Sequence, residues 1–280
     1  MRTRRHTSSP DIDGIGVPAP MPAPVCPRCS TQNSPDSAFC RACGTPLTAH
    51  AVAASAAKPG TGAGTKPTFR PKVAIRVVRA DGGPETVVPM AGAQLTCGTR
   101  GDVLLADDPF VAATQARFFV AASKLTVEDV GGGNGVFLRL HKERELSAGA
   151  ELRLGRQRLL LEVLPSANRN SDGALMWGSP DAGYRYRLIQ VLEGGSRGAA
   201  FVLKDGENLL GRDSGDITFA GDGFVSGRHA ALQVRQERLF VRDLGSSNGT
   251  FVRLRAPTAL ENGDHLLIGR ELLRVEISER

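Results

Sequence analysis

One feature constrains this chain before any other: it repeats itself. Shifted by 114 residues, the sequence matches Val111 with Val225, Asp129 with Asp243, Asn134-Gly135 with Asn248-Gly249 and Phe137 with Phe251. The same shift matches Leu152 with Leu266, Gly155-Arg156 with Gly269-Arg270 and Glu162 with Glu276, while Gly98 meets Gly211 at a shift of 113, one loop being a residue shorter. Self-similarity at a fixed period means one structural unit used more than once. The two copies fall at residues 72–165 and 184–280, and 280 residues leave room for both plus tails.

The repeated unit reads as β. Apolar runs are short, aromatics are 5% and glycines number 33, which favours many strands joined by tight turns over a helical bundle. In the second copy, strands are expected at residues 187–192, 200–203, 207–211, 216–219, 230–235, 239–242, 250–252, 265–268 and 271–277. Gly194-Gly195, Asp205-Gly206 and Asn262-Gly263-Asp264 supply turn signals between them. In the last strand Leu273, Val275 and Ile277 alternate with Arg274 and Glu276, the period of a half-buried strand.

Three loops of the second copy collect small polar side chains, two of them with arginines: Gly211-Arg212, Val225-Ser226-Gly227-Arg228-His229 and Asp243-Leu244-Gly245-Ser246-Ser247-Asn248-Gly249-Thr250. A guanidinium gives charge-assisted bonds to phosphate, hydroxyls and loop amides add donors, and an Asn amide can grip a backbone. No catalytic constellation accompanies them: His6 and His50 lie in segments expected to be disordered, His141 in a loop of the first copy, and His265 alternates with apolar strand residues. These residues describe a binding site and not an enzyme.

Residues 184–280 resemble a forkhead-associated (FHA) domain, a phosphothreonine-peptide-binding β-sandwich. The resemblance rests on Gly211-Arg212, on Ser226 and His229 at S-x-x-H spacing, and on Ser247-Asn248-Gly249-Thr250. It implies that Arg212, Ser226 and Ser247 bind phosphate, with Gly227 in the same loop and Arg228 as helper. It also implies that Asn248 holds the ligand main chain and that His229 braces the Ser226 loop, with Gly211, Gly249 and Thr250 supporting. The expected fold is all-β: two tandem FHA-type sandwiches preceded by a small zinc ribbon and flexible linkers.

Comparing the copies separates scaffold from site. Matched positions are mostly apolar or turn-forming, whereas Arg212 faces Thr99, Ser226 faces Ala112, His229 faces Gln115, Ser247 faces Gly133 and Thr250 faces Val136. Only the Asn survives, as Asn134, and Asn-Gly also suits a tight turn. The first copy is therefore expected not to bind phosphothreonine and to act as a spacer, a protein-contact surface or a packing partner of the second.

Four of five cysteines form Cys26-Pro27-Arg28-Cys29 and, ten residues on, Cys40-Arg41-Ala42-Cys43. Two C-x-x-C knuckles offer four thiolates to one tetrahedral Zn²⁺. Residues 26–47 resemble the short zinc ribbons of bacterial proteins, and so small a segment needs metal to fold. One structural zinc ion, all positions filled by sulfur, is the expectation; a redox dithiol or paired disulfides is the competing reading. Cys97 sits in an apolar strand as an inert buried thiol.

Residues 1–25 read as a disordered tail, 48–71 as a flexible linker and 166–183 as a second linker, in which Trp177 either docks on a sandwich or stands exposed. The net charge of +6 belongs to residues 1–72, with nine Lys/Arg against three Asp/Glu, while residues 73–280 hold 26 of each sign. A folded part without excess charge does not point to nucleic acid. No run is long enough to span a bilayer and no secretory signal opens the chain, so a cytoplasmic protein is expected. The expected partners are threonine-phosphorylated proteins in Ser/Thr kinase signalling, and phosphorylated Thr7 of the tail is a candidate internal ligand. The alternative function is a nucleic-acid-associated regulator using the ribbon and basic tail; the ribbon's partner is protein, nucleic acid or none.

Overall fold

The computed structural model describes residues 25–26, 30–32, 72–78, 84–165, 169–180 and 182–278. Expectations for the tail up to residue 24, for Cys29, Cys40 and Cys43, for the 48–71 linker and for Thr7 lie outside the described residues. The chain divides into two units, Met1–Thr68 and Phe69–Arg280.

In the first unit the described residues form a tight turn. Val25 bridges Gln32, the Cys26 N–H donates to the Thr31 carbonyl at 3.0 Å and the Ser30 N–H to the Cys26 carbonyl at 2.9 Å. Ser30 has φ of 56°, which closes the turn around Cys26, itself buried.

The second unit is all-β among the described residues, apart from a 3-10 turn at Glu193–Gly195. The first repeat supplies β1 (Lys72–Val78), β2 (Thr86–Pro89), β3 (Gln94–Gly98), β4 (Val103–Leu104), β5 (Ala116–Ala121), β6 (Lys124–Asp129), β7 (Val136–Arg139), β8 (Arg144–Leu146), β9 (Glu151–Leu154) and β10 (Gln157–Val163). The second supplies β11 (Tyr186–Val191), β12 (Arg197–Leu203), β13 (Gly206–Gly211), β14 (Ile217–Thr218), β15 (Ala230–Arg235), β16 (Arg238–Asp243), β17 (Thr250–Arg253), β18 (Thr258–Ala259), β19 (His265–Ile268) and β20 (Glu271–Ser278). Each anticipated strand of the second copy is present; β18, two residues of weak signal, is the addition. No helix of the described residues is long and apolar enough to cross a membrane.

The repeats do not fold as separate halves. One sheet of ten strands runs β12-β11-β10-β9-β17-β7-β19-β20-β1-β2, and two five-stranded sheets, β14-β13-β15-β16-β8 and β18-β6-β5-β3-β4, complete two sandwiches. Each five-stranded sheet ends on a strand from the other repeat. One core gathers Val73 through Val136 together with Leu254, Leu260, Leu266, Ile268, Leu273 and Val275. The other runs from Leu140 through Val241 and adds Val252. Lobe 1 is thus residues 72–139 plus 254–278, and lobe 2 is the continuous stretch 140–253. The contiguous bodies expected at 72–165 and 184–280 mark sequence repeats, not folded lobes.

The crossing points explain the exchange. Leu140 and Leu254 are equivalent in the repeat, directly follow β7 and β17, and are buried in the core their own repeat did not start. β7 and β17 pair antiparallel with Val252 opposite Leu138. Those two positions are also equivalent, so a pseudo-twofold axis passes between them, the geometry of a symmetric dimer built within one chain. The second expected linker joins β10 to β11, which are sheet neighbours. Trp177 within it is 98% exposed, so it does not dock. Cys97 is fully buried in β3, and burial pushes its thiol up to about 12.

Candidate functional site

The three polar loops meet at one end of lobe 2, after β13, before β15 and between β16 and β17. Gly211 lets the first loop close: a Cβ there would collide with the carbonyl oxygens of Gly227 and Ser214. That close approach allows the Arg212 N–H to donate to the Ser226 carbonyl at 2.9 Å and the Ser214 N–H to the Gly227 carbonyl at 3.3 Å. The Ser247 N–H donates to Ser226 Oγ at 3.1 Å, joining the second loop to the third. Ser226 Oγ therefore sits between two loops with its own proton still to give. Ser247, Asn248 and Arg228 are exposed, and Arg228 makes no ion pair among the described residues.

His229 ties this assembly from below. It is fully buried; its Nδ1 accepts the Ser226 N–H at 3.0 Å, and its Nε2 lies 3.1 Å from the Gly249 carbonyl. Those partners fix the tautomer, with the proton on Nε2 donated to the carbonyl. Burial pushes the imidazole below its ordinary value, so it is neutral at pH 7.

Asn248 Nδ2 donates to the Phe224 carbonyl at 2.8 Å, and in lobe 1 Asn134 Nδ2 donates to the Phe110 carbonyl at 3.0 Å. The shared contact explains why this Asn survives in both copies: it clamps two loops. In lobe 1 its oxygen is also taken, by Arg158 Nη1 at 3.2 Å, while Arg158 Nη2 reaches the Gly133 carbonyl at 3.3 Å. Leu272 stands at the equivalent position beside lobe 2 and has no such group to offer.

Arg212 departs from simple convergence. Its guanidinium is paired with its neighbour Asp213, Nε at 3.0 Å and Nη2 at 2.9 Å, and does not touch either serine. The Asp213 carboxylate lies 3.6 Å from where a Cβ of Gly227 would stand, so the pair borders the Ser226 loop. The charge is present at the rim, already engaged by an exposed carboxylate.

Two aspartates to which the sequence assigned no role shape the loops. Asp243 organises the third: its Oδ1 accepts the hydroxyls of Ser246 at 2.6 Å and Thr250 at 2.7 Å, and its Oδ2 accepts the amides of Gly245 at 3.0 Å and Ser246 at 2.9 Å. Burial pulls this carboxyl upward, but the bonds from the Ser246 and Thr250 hydroxyls and the Ser246 amide help hold it below the usual range. Asp222 fixes the second loop, accepting the Phe224 N–H at 3.0 Å, and takes the Arg156 N–H and Gln157 Nε2 of the first repeat, each at 2.8 Å. Arg156 then lies 4.9 Å over the half-exposed Phe224 ring. Both aspartates have counterparts at a shift of 114, Asp129 and Asp108, the signal that would have found them.

Lobe 1 keeps the bracing without the polar groups. Gln115 replaces the histidine: its Oε1 accepts the Ala112 N–H at 3.2 Å and its Nε2 donates to Asp129 at 2.8 Å. Thr99, Ala112 and Gly133 stand where lobe 2 has Arg212, Ser226 and Ser247.

For the cysteine module, the turn at Cys26 is the kind of backbone that lets two sulfurs three residues apart face one ion, and four thiols are the donor set tetrahedral zinc prefers. Among the described residues no cluster of three or more His, Cys, Asp or Glu is placed to hold a metal.

Comparison with known proteins agrees with these observations. A family model described as FHA domain matches residues 208–269, and one described as zinc-ribbon domain matches residues 25–47. FHA domain-containing protein FhaB of Mycobacterium tuberculosis is 37% identical over 75 residues, 26% of this chain and 48% of FhaB. Glycogen accumulation regulator GarA of the same species is 36% identical over 86 residues, 30% of this chain and 52% of GarA. This chain thus spans about half the length of each. The oxoglutarate dehydrogenase inhibitor of Corynebacterium jeikeium is 32% identical over 115 residues, 40% of this chain and 77% of that protein. The chain belongs to the FHA-domain family, with a segment that matches the zinc-ribbon model ahead of the FHA match.

Proposed function

We propose that lobe 2 is a phosphothreonine-dependent binding module and that the chain is a non-enzymatic adaptor in Ser/Thr kinase signalling. The observation that carries this is the hydrogen-bonded junction of three loops, in which Ser226 Oγ accepts the Ser247 N–H while the Ser226 carbonyl accepts the Arg212 N–H. A phosphate seated there meets two hydroxyls, loop amides and the Arg212 guanidinium within one small region. Its dianion competes for Arg212 with a single exposed carboxylate, Asp213. Two negative charges with three acceptor oxygens outbid one carboxylate at such a site. Arg228 adds positive charge from the same loop, and Asn248 Oδ1 is available to a ligand amide.

Support also comes from relatives named as a regulator and an inhibitor, and from the loss of Arg212, Ser226 and Ser247 counterparts in lobe 1. Lobe 1 on this reading binds no phosphothreonine and serves to complete the fold. Cys26, Cys29, Cys40 and Cys43 would hold one structural zinc, which would supply folding energy to a segment too short for a core of its own. A cytoplasmic setting, where thiols stay reduced for metal, is part of the proposal.

The test is binding of degenerate phosphothreonine peptides to the whole chain by fluorescence anisotropy. Arg212→Ala and Ser226→Ala are expected to abolish it, and Thr99→Arg is expected to add none. Undiminished binding by both alanine variants overturns the assignment.

A further inference from the structure

We propose that Arg139, contributed by the first repeat, is a second anion-binding position beside the lobe 2 loops and reads an acidic side chain on the phosphothreonine ligand. The proposal rests on the phosphopeptide reading of that lobe and extends it across the lobe junction.

β7 pairs with β17 with Arg139 opposite Phe251, two residues past Gly249. The Arg139 guanidinium carbon lies 2.9 Å from where a Cβ of Gly249 would stand, so the side chain is laid against the loop that carries Ser247 and Asn248. Arg139 is half-buried, and its guanidinium nitrogens are not fully sealed from solvent.

The pseudo-twofold supplies an internal control. Arg253 occupies the equivalent place against Gly135, its guanidinium carbon also 2.9 Å from the would-be Cβ. There the charge is satisfied: Nη1 lies 2.6 Å from Glu151 and Nη2 lies 3.7 Å from Asp129. Arg139 has neither partner. One step beyond the paired residues of β7 and β19 (Leu266 opposite Leu138), its cross-strand neighbour is His265, the counterpart of Glu151. Burial pushes that imidazole below its ordinary value, with Arg139, Arg274 and His141 acting the same way, so it offers no negative charge. Asp243, the counterpart of Asp129, is consumed by Ser246, Thr250 and the Gly245 amide. Among the described residues no carboxylate pairs with Arg139.

A half-buried guanidinium has lost part of its hydration, and without an internal partner it favours any anion brought to it. On this proposal a peptide whose phosphate lies at Ser226 and Ser247 and whose backbone meets Asn248 would continue toward the Gly249 end of the loop, bringing a flanking side chain to Arg139. A carboxylate of Asp or Glu fits that place; a lysine is repelled. Because Arg139 belongs to the other repeat, this position exists only where two lobes share a sheet.

The experiment measures, with the full chain, anisotropy of phosphothreonine peptides carrying Glu, Ala or Lys at each flanking position in turn. The unaltered chain is expected to favour Glu over Ala by about fivefold at one position. Arg139→Gln is expected to remove that ratio while leaving affinity for the Ala peptide unchanged, which also reports that the loops remain folded. His265→Glu, which gives Arg139 the partner Arg253 has, is expected to remove it without altering Arg139. Arg253→Gln is expected to leave it intact. An unchanged Glu-to-Ala ratio in Arg139→Gln and His265→Glu overturns the inference alone, as does an equal loss in Arg253→Gln or the lack of any flanking preference. Failure of the unaltered chain to bind any phosphothreonine peptide overturns the proposed function and this inference with it.

Discussion

Replacing His229 by alanine attacks the one side chain that joins two loops of the site from within the core. The imidazole is fully buried and satisfies the Ser226 N–H at 3.0 Å and the Gly249 carbonyl at 3.1 Å. Alanine leaves both groups unpaired beneath the loops, each at a cost of about 1–3 kcal/mol, so about 2–6 kcal/mol in total before any cavity is counted. That is a large part of the about 5–15 kcal/mol by which a domain is stable. Lobe 1 shows the remedy. Gln115 holds the Ala112 N–H at 3.2 Å and donates to Asp129 at 2.8 Å, so His229→Gln retains an acceptor and a donor in place and is expected to lose about 1 kcal/mol. Urea denaturation of the three proteins measures this, the midpoint falling strongly for alanine and slightly for glutamine. The same residue carries a pH signature. Burial lowers its folded value below the unfolded one of about 6.5, so protons favour the unfolded chain. Its contribution is complete above about pH 6.5 and is lost as pH falls through the folded value. His229→Gln removes that share of the acid sensitivity, while His265, shifted the same way, keeps its own. A His229→Ala protein as stable as the parent, or a glutamine variant as weak as the alanine one, would refute the bracing role.

Other consequences concern charge and connectivity. Glu151→Gln leaves the half-buried Arg158 and Arg253, now bonded at 2.7 and 2.6 Å, without their shared anion, and is expected to cost about 2–4 kcal/mol in thermal or chemical melts. Asp213→Asn frees the Arg212 guanidinium from its present partner at 2.9 Å and is expected to tighten phosphopeptide binding, seen in anisotropy as a lower dissociation constant. A segment comprising residues 140–253, which contains the whole lobe 2 core, is expected to fold cooperatively, whereas one beginning at 184 must recruit its own last hairpin in place of β9 and β10; circular dichroism melts compare the two.

The sequence made the strands legible because turn glycines and alternation bracket them, as in Leu273 and Val275, both fully buried in β20. It also made the three loops legible, since their residues differ from the sister copy while the scaffold around them matches. The exchange of C-terminal strands was not readable, for a physical reason. Leu152 and Leu266, Gly155-Arg156 and Gly269-Arg270, and Glu162 and Glu276 make the two final hairpins nearly interchangeable, so either lobe can accept either one. In the structure Leu140 and Leu254 pack into opposite cores, a three-dimensional arrangement with no local signature. The engagement of Arg212 by Asp213 was visible as adjacency only; one-residue spacing rarely specifies an ion pair in a loop. Arg139 was invisible because its importance depends on the exchange, and on His265 standing where its twin has Glu151.

The most direct measurement is an amide NMR titration of the whole chain with a phosphothreonine peptide and its unphosphorylated form. The account predicts that only the phosphorylated peptide shifts resonances of residues 212–214, 226–229 and 246–249, leaving 99–101, 112–115 and 131–134 in place. Equal shifts with both peptides, or shifts centred on the lobe 1 loops, would contradict it.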